Sequence, residues 1–415
     1  MLSDEFAACA RMDEADFTRS RKLPLPSVVA MLLNLRKGSI GDELDRFFEI
    51  VHDEPLADSV TPSAFCQARK KLNPDALVAL DRRLLGGFDE HFAPRLWHGF
   101  RLLAVDGSTA RLPNADDVLA VFGPPPEGSS VPLARLSRLY DVLNDVVVVA
   151  DIEPYSVGER VLAGEYLVTT RANDLLLYDR GYPAFWLFCL HLLEQRHFCA
   201  RMPVDFSNEV SAFVASGKKS DVVVFSPGAE ARKQCLLYGL SCEPITLRLI
   251  RVKLEDGEIE VLATSLLDED AYPTGWFKHL YHLRWGVEEG YKREKCRVEI
   301  ENFSGLSAQV IKQDFYAKIF VLNLTAILSW VAQAIADRLY KARNHPYRVN
   351  FANALSKMKD NIVRLFLFDS AEQLLTPLVL AMAGTVEAVR PDRSYPRKIK
   401  PAKLHGFHPN YKRCR

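Results

Sequence analysis

The spacing of apolar residues changes near residue 97, and this change constrains the fold more than any other feature of the chain. Before it, residues 25–92 carry apolar side chains at helical spacing, and Thr61 followed by Pro62 is typical of a helix start. After it, short β-branched or leucine-rich runs have the length of strands. The pattern predicts a small helical domain followed by a region with many strands.

Four runs after residue 97 are predicted strands, within FRLLAVDGSTARLP, DVVVVADIEPY, DLLLYDRGY and HFCARMP. The segment FGPPPEGSSVP at 122–132 is predicted as a loop because proline, glycine and serine dominate it. In the first and third runs an aspartate, Asp106 or Asp179, directly follows apolar residues, so each is predicted to end its strand. Taken singly, such an aspartate is more often a turn or cap residue than a catalyst.

Alternation of apolar and polar residues is clearest between 204 and 266, where TLRLIRVKL and EIEVLATSL flank Asp256-Gly257. An Asp-Gly pair between alternating runs is a strong hairpin signal. An antiparallel β insertion is therefore predicted over 204–268. Helical spacing then resumes, and a long apolar helix is predicted over 315–340.

The composition is that of a globular protein, with 48% apolar and 26% charged residues. Lys+Arg and Asp+Glu both total 53, so the net charge gives no signal for nucleic acid. Basic residues do cluster after residue 390, where the chain is either an electrostatic arm or a disordered tail. The run QARKK, which includes Arg69, Lys70 and Lys71, could meet phosphates, although a basic helix end is more often simply solvated.

The eight cysteines form no C-x-x-C pair, and the first residues are acidic where a signal peptide would be basic and then apolar. These features predict reduced thiols in a cytoplasmic protein. The uncharged run at 319–336 is long enough to raise a membrane span. Because it contains Asn323 and Gln333 and has charges close by, a buried core helix and no membrane partner are predicted instead.

The stretch YHLRWGVEEGYKREK at 281–295 places acids and bases on one helical face. At 100° per residue, Tyr281, Arg284, Glu288 and Lys295 fall within an arc of roughly 60°. Apolar residues occupy the neighbouring arc, so the polar face is predicted to lie at the edge of the core. Read alone, this face is more often a solvated helix with an i,i+4 ion pair.

Two other carboxylates change this interpretation. Asp106, Asp179 and Glu288 come from two strand ends and a helix, and three such carboxylates can hold two divalent cations about 4 Å apart for phosphoryl transfer. Hard oxygen ligands suit Mg²⁺ or Mn²⁺. Arg284 and Lys295 would then bind phosphates, with the tyrosine of the same face donating a hydrogen bond or stacking.

The chain contains no motif for several other kinds of catalytic or nucleotide-binding site. The phosphate-loop, dinucleotide-binding, zinc-protease and serine-hydrolase motifs (G-x-x-x-x-G-K-[ST], G-x-G-x-x-G, H-E-x-x-H and G-x-S-x-G) do not occur. The histidines lie at no metal-ligand spacing and are predicted to be structural.

The pattern Tyr281-x2-Arg284-x3-Glu288-x6-Lys295 resembles the YREK signature of the insertion-sequence-four-type DDE transposases. AVDGS and YDRGY resemble the first-aspartate and second-aspartate motifs of that family, in the same order along the chain. SAFCQARKKL and SYPRKIKPAK resemble its helical N-terminal region and basic C-terminal end. The resemblance spans about residues 25–405, with its specificity in the first three motifs.

The resemblance implies an α/β fold class, namely a ribonuclease-H-like catalytic core with a β-rich insertion and an N-terminal helical domain. The implied division of the chain is a helical DNA-binding region at 1–95, the first part of the core at 96–203, the insertion at 204–268, the second part of the core with the catalytic glutamate helix at 269–345, and a helical region with a basic tail at 346–415. The resemblance assigns no role to Trp276, because this residue lies close to the YREK signature and not within the insertion.

The resemblance also implies roles for single residues. Asp106, Asp179 and Glu288 would be the catalytic ligands of two Mg²⁺ or Mn²⁺ ions. Three further residues, Tyr281, Arg284 and Lys295, would contact the DNA backbone near the cleaved end.

Members of the family cut double-stranded DNA at the ends of a mobile element and expose a 3′-hydroxyl that attacks target DNA. They act on paired ends, which implies a homodimer in a synaptic complex, in the bacterial cytoplasm at the nucleoid. Three alternatives remain open from the sequence: an endonuclease of the same fold without strand transfer, a catalytically silent DNA-binding protein derived from a transposase, and a metal-independent hydrolase with paired carboxylates.

Overall fold

The computed structural model describes residues 3–19, 21–34, 38–55, 58–254, 257–284, 286 and 299–389. These residues fall into two compact units that are both discontinuous in sequence. The described residues of Met1–Phe92, Ala110–Leu133 and Arg293–Arg415 form a helical unit, and those of Ala93–Thr109 and Ala134–Lys292 form a sheet unit.

The described helices are listed in chain order. They are α1 Asp4–Ala10, α2 Leu25–Leu33, α3 Ile40–His52, α4 Pro62–Arg69, α5 Asp75–His91, α6 Asp116–Phe122, α7 Glu159–Tyr166, α8 Phe185–Leu193, α9 Asn208–Ser216, α10 Ala229–Leu237, α11 Trp276–Leu283, α12 Ala308–Leu339, α13 Phe351–Met358, α14 Asn361–Leu367 and α15 Ala371–Ala383, with a short 3-10 helix at Leu167–Thr169.

The described strands form one large sheet and one small ribbon. They are β1 Arg101–Arg111, β2 Leu133–Asp141, β3 Val146–Pro154, β4 Asp174–Tyr178, β5 His197–Met202, β6 Ser220–Phe225, β7 Ile245–Lys253, β8 Ile259–Thr264, β9 Tyr347–Val349 and β10 Val386–Ala388.

The helical unit is organised around α12, which packs against α2, α5, α13 and α15. Thr61 caps α4 by accepting a hydrogen bond from the amide of Ala64, and Pro62 takes the first helical position, as predicted. The first five helices therefore share a core with helices from the C-terminal third of the chain. The predicted division into five segments concerns functional regions, and it stays a prediction.

Helix α12 is long and apolar enough to cross a membrane by length and composition alone. In its most apolar window 61% of the residues are buried inside the protein, among them Phe320, Val321 and Leu322. Asn323 in the same helix donates to both carboxylate oxygens of Asp81 on α5 at 3.0 Å. These contacts are those of the core helix that the sequence predicts.

The large sheet belongs to the sheet unit and has the strand order β3-β2-β1-β4-β5-β8-β7-β6. Strands β1, β4 and β5 are parallel, whereas β2 and β3 pair antiparallel. Bonds from Val142 to Leu102 and from Leu112 to Pro132, at 3.0 and 2.9 Å, show that β2 also runs antiparallel to β1. This mixed sheet with flanking helices is a ribonuclease-H-like core.

Residues of the predicted insertion extend the same sheet. Strands β6, β7 and β8 pair antiparallel, which confirms the predicted antiparallel region and its hairpin, and β8 also pairs with β5. Gly257, which precedes β8, has φ +89°, a conformation that glycine adopts without steric cost. Two short helices, α9 and α10, lie within this region, and the alternating pattern did not predict them.

One strand boundary differs from the prediction. Asp106 does not end its strand, because β1 continues to Arg111 with β2 as its partner. Asp179, by contrast, follows β4 directly, as predicted. The run that starts with HFCARM forms β5, which is also as predicted.

Six cysteines lie in the described part of the chain and all are free thiols: Cys9, Cys66, Cys189, Cys199, Cys235 and Cys242.

Candidate active site

Asp106 and Asp179 are brought together by the register of β1 and β4. The parallel register runs from Arg101 paired with Asp174 to Ala104 paired with Leu177, and Asp106 and Asp179 each come two residues further along the chain, Asp179 in the turn after β4. Adjacent parallel strands lie about 4.8 Å apart, and matched residues project to the same face. Two carboxylates that are distant in sequence therefore lie near each other, and the charge of Asp179 raises the pKa of Asp106.

The turn after β4 fixes the side chain of Asp179. Its Oδ1 accepts a hydrogen bond from the amide of Gly181 at 2.7 Å, and its carbonyl accepts from the amide of Tyr182 at 3.3 Å. A Cβ on Gly181 would lie 3.1 Å from Asp179 Oδ1, so glycine lets the turn close tightly on the carboxylate. The remaining oxygen, Oδ2, is left for other ligands.

Arg138 lies on the other side of Asp106, on β2. The antiparallel register that relates Leu102 to Val142 and Leu112 to Pro132 places Arg138 opposite Asp106. Its side chain is 1% exposed, and its guanidinium lies over the ring of Tyr140 at 4.8 Å. A buried cation thus stands opposite Asp106, where it offsets part of the negative charge of that carboxylate.

Burial raises the pKa of Asp106 to about 6. Arg138 lowers this pKa, the neighbouring Asp179 raises it, and the amide of Gly107, which donates to Asp106 Oδ1 at 3.0 Å, lowers it. Arg284 lowers it as well. The pKa of this half-buried carboxyl is therefore raised by desolvation and by a like charge, and lowered by two cations.

Arg284 and Tyr281 belong to α11 and its C-terminal cap. Both are buried, and the Arg284 guanidinium carbon lies 5.5 Å from the centre of the Tyr281 ring. The Tyr281 hydroxyl has no hydrogen-bond partner within the described part of the chain, and burial raises its pKa. Arg284 therefore acts electrostatically on Asp106 while it packs on the tyrosine of the same signature.

Glu288 and Lys295 lie outside the described residues, so the structure does not test their predicted roles. Within the described ranges, no group of three or more His, Cys, Asp and Glu side chains could hold a metal ion. Asp106 and Asp179 contribute two hard oxygen donors, which suit Mg²⁺ or Mn²⁺. A third carboxylate, such as the predicted Glu288, fits this donor set.

Sequence reasoning missed Arg138. Nothing local marks it, because its position opposite Asp106 depends on the pairing of two strands that are separated by α6 and a proline-rich loop. Its place between Leu136 and Leu139 in the strand-length run LARLSRLYD is a signal that could have found it.

The basic run at 67–71 is in part a structural element of the helical unit. Arg69 is 1% exposed and binds Asp314, Gln313 and Ser304 at 2.9, 2.9 and 2.6 Å. The suggestion that Arg69 meets phosphates is therefore wrong. Lys70 is exposed and could still do so.

Trp276, whose role the sequence left open, stacks on His98 with ring centres 3.8 Å apart and planes 7° apart. Trp97 packs edge-on against it at 5.9 Å. One face of the Trp276 ring is thus already covered by the protein.

A comparison with protein families matches residues 97–324 to the transposase DDE domain. That match includes both aspartates and the whole 281–295 stretch. The transposase InsG of insertion sequence element IS4 from Escherichia coli strain K12 is 25% identical over 315 residues, which cover 74% of this chain and 70% of InsG. A cryo-EM structure of the piggyBac transposase synaptic complex with hairpin DNA aligns over 91% of this chain and 80% of that one, with a TM-score of 0.45 and 12% identity.

Proposed function

This chain belongs to the transposase DDE domain family, in its insertion-sequence-four type, and from that premise we propose that it cleaves the ends of a mobile DNA element and joins the exposed 3′-hydroxyl to target DNA. The observation that carries the proposal is the position of Asp106 on β1 and of Asp179 directly after the adjacent parallel strand β4, close enough for Asp179 to raise the pKa of Asp106. Family membership makes DNA the substrate class. The cleavage and joining steps are the part that we propose.

Asp106, Asp179 and Glu288 would hold the divalent ions of the site, and the family generally uses such ions. When bound, Mg²⁺ or Mn²⁺ supplies the Lewis acidity that phosphoryl transfer requires, and two ions are proposed. The chain contributes a half-buried setting in which Asp106 must ionise against desolvation. Arg138 and Arg284 favour that ionised form, as their effect on the pKa of Asp106 indicates.

Arg284, Tyr281 and Lys295 would bind the DNA backbone beside the carboxylates. A guanidinium binds phosphate oxygens in a bidentate manner, and a buried tyrosine hydroxyl can donate one further hydrogen bond. The Tyr281 hydroxyl is available for that bond within the described structure. In the transition state the cations would stabilise negative charge that develops on the phosphate.

The remaining parts of the proposal concern assembly and location. Joining two element ends requires two active sites, so a homodimer in a synaptic complex is proposed. The protein would act on chromosomal DNA in the bacterial cytoplasm, at the nucleoid.

A strand-transfer assay tests this proposal. The substrate is a pre-cleaved duplex made from the DNA that flanks the coding sequence on either side, with supercoiled plasmid as target and Mg²⁺ as cofactor. We expect joined products with the wild-type protein, and DNA binding without joined products with Asp179→Asn. EDTA should abolish the reaction and Mn²⁺ should restore it.

Each alternative has its own outcome in this assay. Hydrolysis without joining would identify an endonuclease of the same fold. Binding with neither cleavage nor joining, unchanged in Asp179→Asn, would identify a DNA-binding protein. Activity that persists in EDTA would identify a metal-independent hydrolase.

A further inference from the structure

The first turn of α7 contacts both strands that carry the aspartates. Its first two residues, Glu159 and Arg160, reach in different directions. Glu159 lies against Gly107 on β1, and Arg160 binds the backbone of Gly181 in the turn after β4. Neither residue belongs to a motif of the sequence, and both contacts reach outside α7.

Arg160 fixes the turn that holds Asp179. Its Nε donates to the carbonyl oxygen of Gly181 at 2.9 Å, while the amide of Gly181 donates to Asp179 Oδ1 at 2.7 Å. Gly181 is therefore held at both of its backbone polar groups. Because the hydrogen bond from the Gly181 amide orients the carboxylate, a shift of Gly181 would move Asp179 Oδ1 with it.

Glu159 fills the space that the absent side chain of Gly107 leaves. A Cβ on Gly107 would lie 2.6 Å from Glu159 Cδ and 2.8 Å from its Oε1. Arg135 on β2 donates to the same Oε1 at 2.5 Å, and its guanidinium lies 4.6 Å from the ring of Tyr155. Successive strand residues face opposite sides, so Glu159 supports β1 from behind Asp106.

The body of α7 is anchored in the core beneath both strands. Leu162, Ala163 and Tyr166 pack in one buried cluster with Val105 and Tyr178, the residues that directly precede the two aspartates. The first turn of α7 is therefore held by a packed core. This packing fixes the distance between the Glu159 contact with Gly107 and the Arg160 contact with Gly181.

We propose that Arg160 and Glu159 are positioning residues that set the spacing of the Asp106 and Asp179 carboxylates for metal binding. The inference rests on the proposed function for its metal, and on the described contacts for its geometry. Groups that orient metal ligands without touching the metal contribute about 10-fold to 100-fold to metal affinity. Removing the Arg160 contact should therefore weaken metal binding and leave the affinity for DNA ends unchanged.

Three substitutions separate the hydrogen bond of Arg160 from its charge. In Arg160→Gln the amide nitrogen takes the position of Nε, so the donor remains and the charge is lost. In Arg160→Lys a methylene takes that position, so the charge remains and the donor is displaced by one bond along the side chain. Arg160→Met lacks both. Glu165→Ala, on the exposed side of the same helix, is the control for general effects on α7.

Three measurements decide the proposal. Hydrogen exchange of a peptide that spans residues 179–182 reports on the turn without metal or DNA. The Mn²⁺ concentration for half-maximal joining of a pre-cleaved duplex, together with Mn²⁺ binding followed by electron paramagnetic resonance, reports on the site. We expect Lys and Met at position 160 to speed hydrogen exchange. Each should also raise about 10-fold the Mn²⁺ concentrations for half-maximal joining and for half-maximal binding, and the joining rate should recover at saturating Mn²⁺.

We expect Arg160→Gln and Glu165→Ala to match the wild type in all three readouts. If Arg160→Gln is impaired while Arg160→Lys is normal, Arg160 acts through its charge on DNA and the proposal is wrong. Wild-type exchange in all three variants would also overturn it. If the wild-type protein neither binds Mn²⁺ nor joins DNA, the proposed function fails, and the exchange pattern still decides whether Arg160 positions Asp179.

Discussion

Asp106 and Asp179 each lie two residues beyond Ala104 and Leu177, the last pair in the parallel register of β1 and β4. Their proximity is thus a consequence of backbone pairing rather than of side-chain rotation. Two adjacent carboxylates repel each other, and the repulsion contributes to the raised pKa of Asp106. A site of this kind favours any cation that can bind both groups at once.

Gly107→Ala should lower metal affinity with little loss of stability. The new Cβ would lie 2.6 Å from Glu159 Cδ, and the flexible carboxylate would have to leave Arg135. The lost ion pair is partly exposed, so we expect a change in unfolding free energy of about 1 kcal/mol or less. Urea denaturation measures the stability, and the half-maximal Mn²⁺ concentration for strand joining measures the site.

The double variant Gly107→Ala with Glu159→Ala is the control for this prediction. Because the Glu159→Ala change removes the clash, the double variant should behave like Glu159→Ala alone, which is a non-additive result. Additive effects of the two changes would mean that Gly107 matters for another reason.

Arg69→Met should destabilise the protein, whereas Lys70→Met should not. Arg69 holds Asp314, Gln313 and Ser304 in a buried network, and removing one partner of a buried ion pair costs about 3–5 kcal/mol. Lys70 is exposed, and a surface change is typically within about 0.5 kcal/mol. Urea denaturation distinguishes the two variants.

The Lys70→Met variant also tests whether the basic run at 67–71 binds phosphate. If Lys70 contacts one phosphate, Lys70→Met should reduce the salt dependence of DNA binding by about one unit of slope. An unchanged slope would remove the run from the DNA interface.

The sequence predicted those parts of the fold that local pattern determines. The helix start at Thr61 and Pro62, the strand before Asp179 and the antiparallel pair of β7 and β8 all follow from spacing and turn residues within a short window. The predicted pairing of strands within the insertion was also local. These elements were found because their evidence lies beside them in the chain.

The remaining features depend on pairing between distant segments. The pairing of β8 with β5 makes the insertion part of the main sheet, and no local pattern encodes it. The position of Arg138 opposite Asp106 depends on a long connection between β1 and β2. Arg69 and Lys70 look alike in sequence, yet only the tertiary structure buries one and exposes the other.

Asp81 should make the stability of the protein fall as pH rises from about 4 to about 7. Burial between α5 and α12 raises its pKa to about 7, despite the hydrogen bonds from Asn323. In this window the folded state keeps a proton that the unfolded state releases, so deprotonation favours unfolding. The effect should level off above pH 7 and amount to about 2–4 kcal/mol.

Asp81→Asn isolates this contribution, because an asparagine carbonyl can still accept a bond from Asn323 and does not ionise. The difference in unfolding free energy between variant and wild type should shift in favour of the variant as pH rises through this window. Glu90→Gln, an exposed position on the same helix, should show no such shift. A difference for Asp81→Asn that is independent of pH would contradict the prediction.

Glu288→Gln should abolish cleavage, and Glu289→Gln should be mild. The two residues lie outside the described structure, so the prediction comes from the helical spacing of the sequence, in which they point about 100° apart. Glu288 shares the face of Tyr281 and Arg284, whereas Glu289 does not. Removing a metal ligand should lower the cleavage rate by more than about 100-fold, because even groups that only orient such ligands contribute up to that amount. Cleavage of a duplex that contains an intact element end and Mn²⁺ binding measure both variants, and equal losses would mean that the 281–295 stretch does not present Glu288 alone to the site.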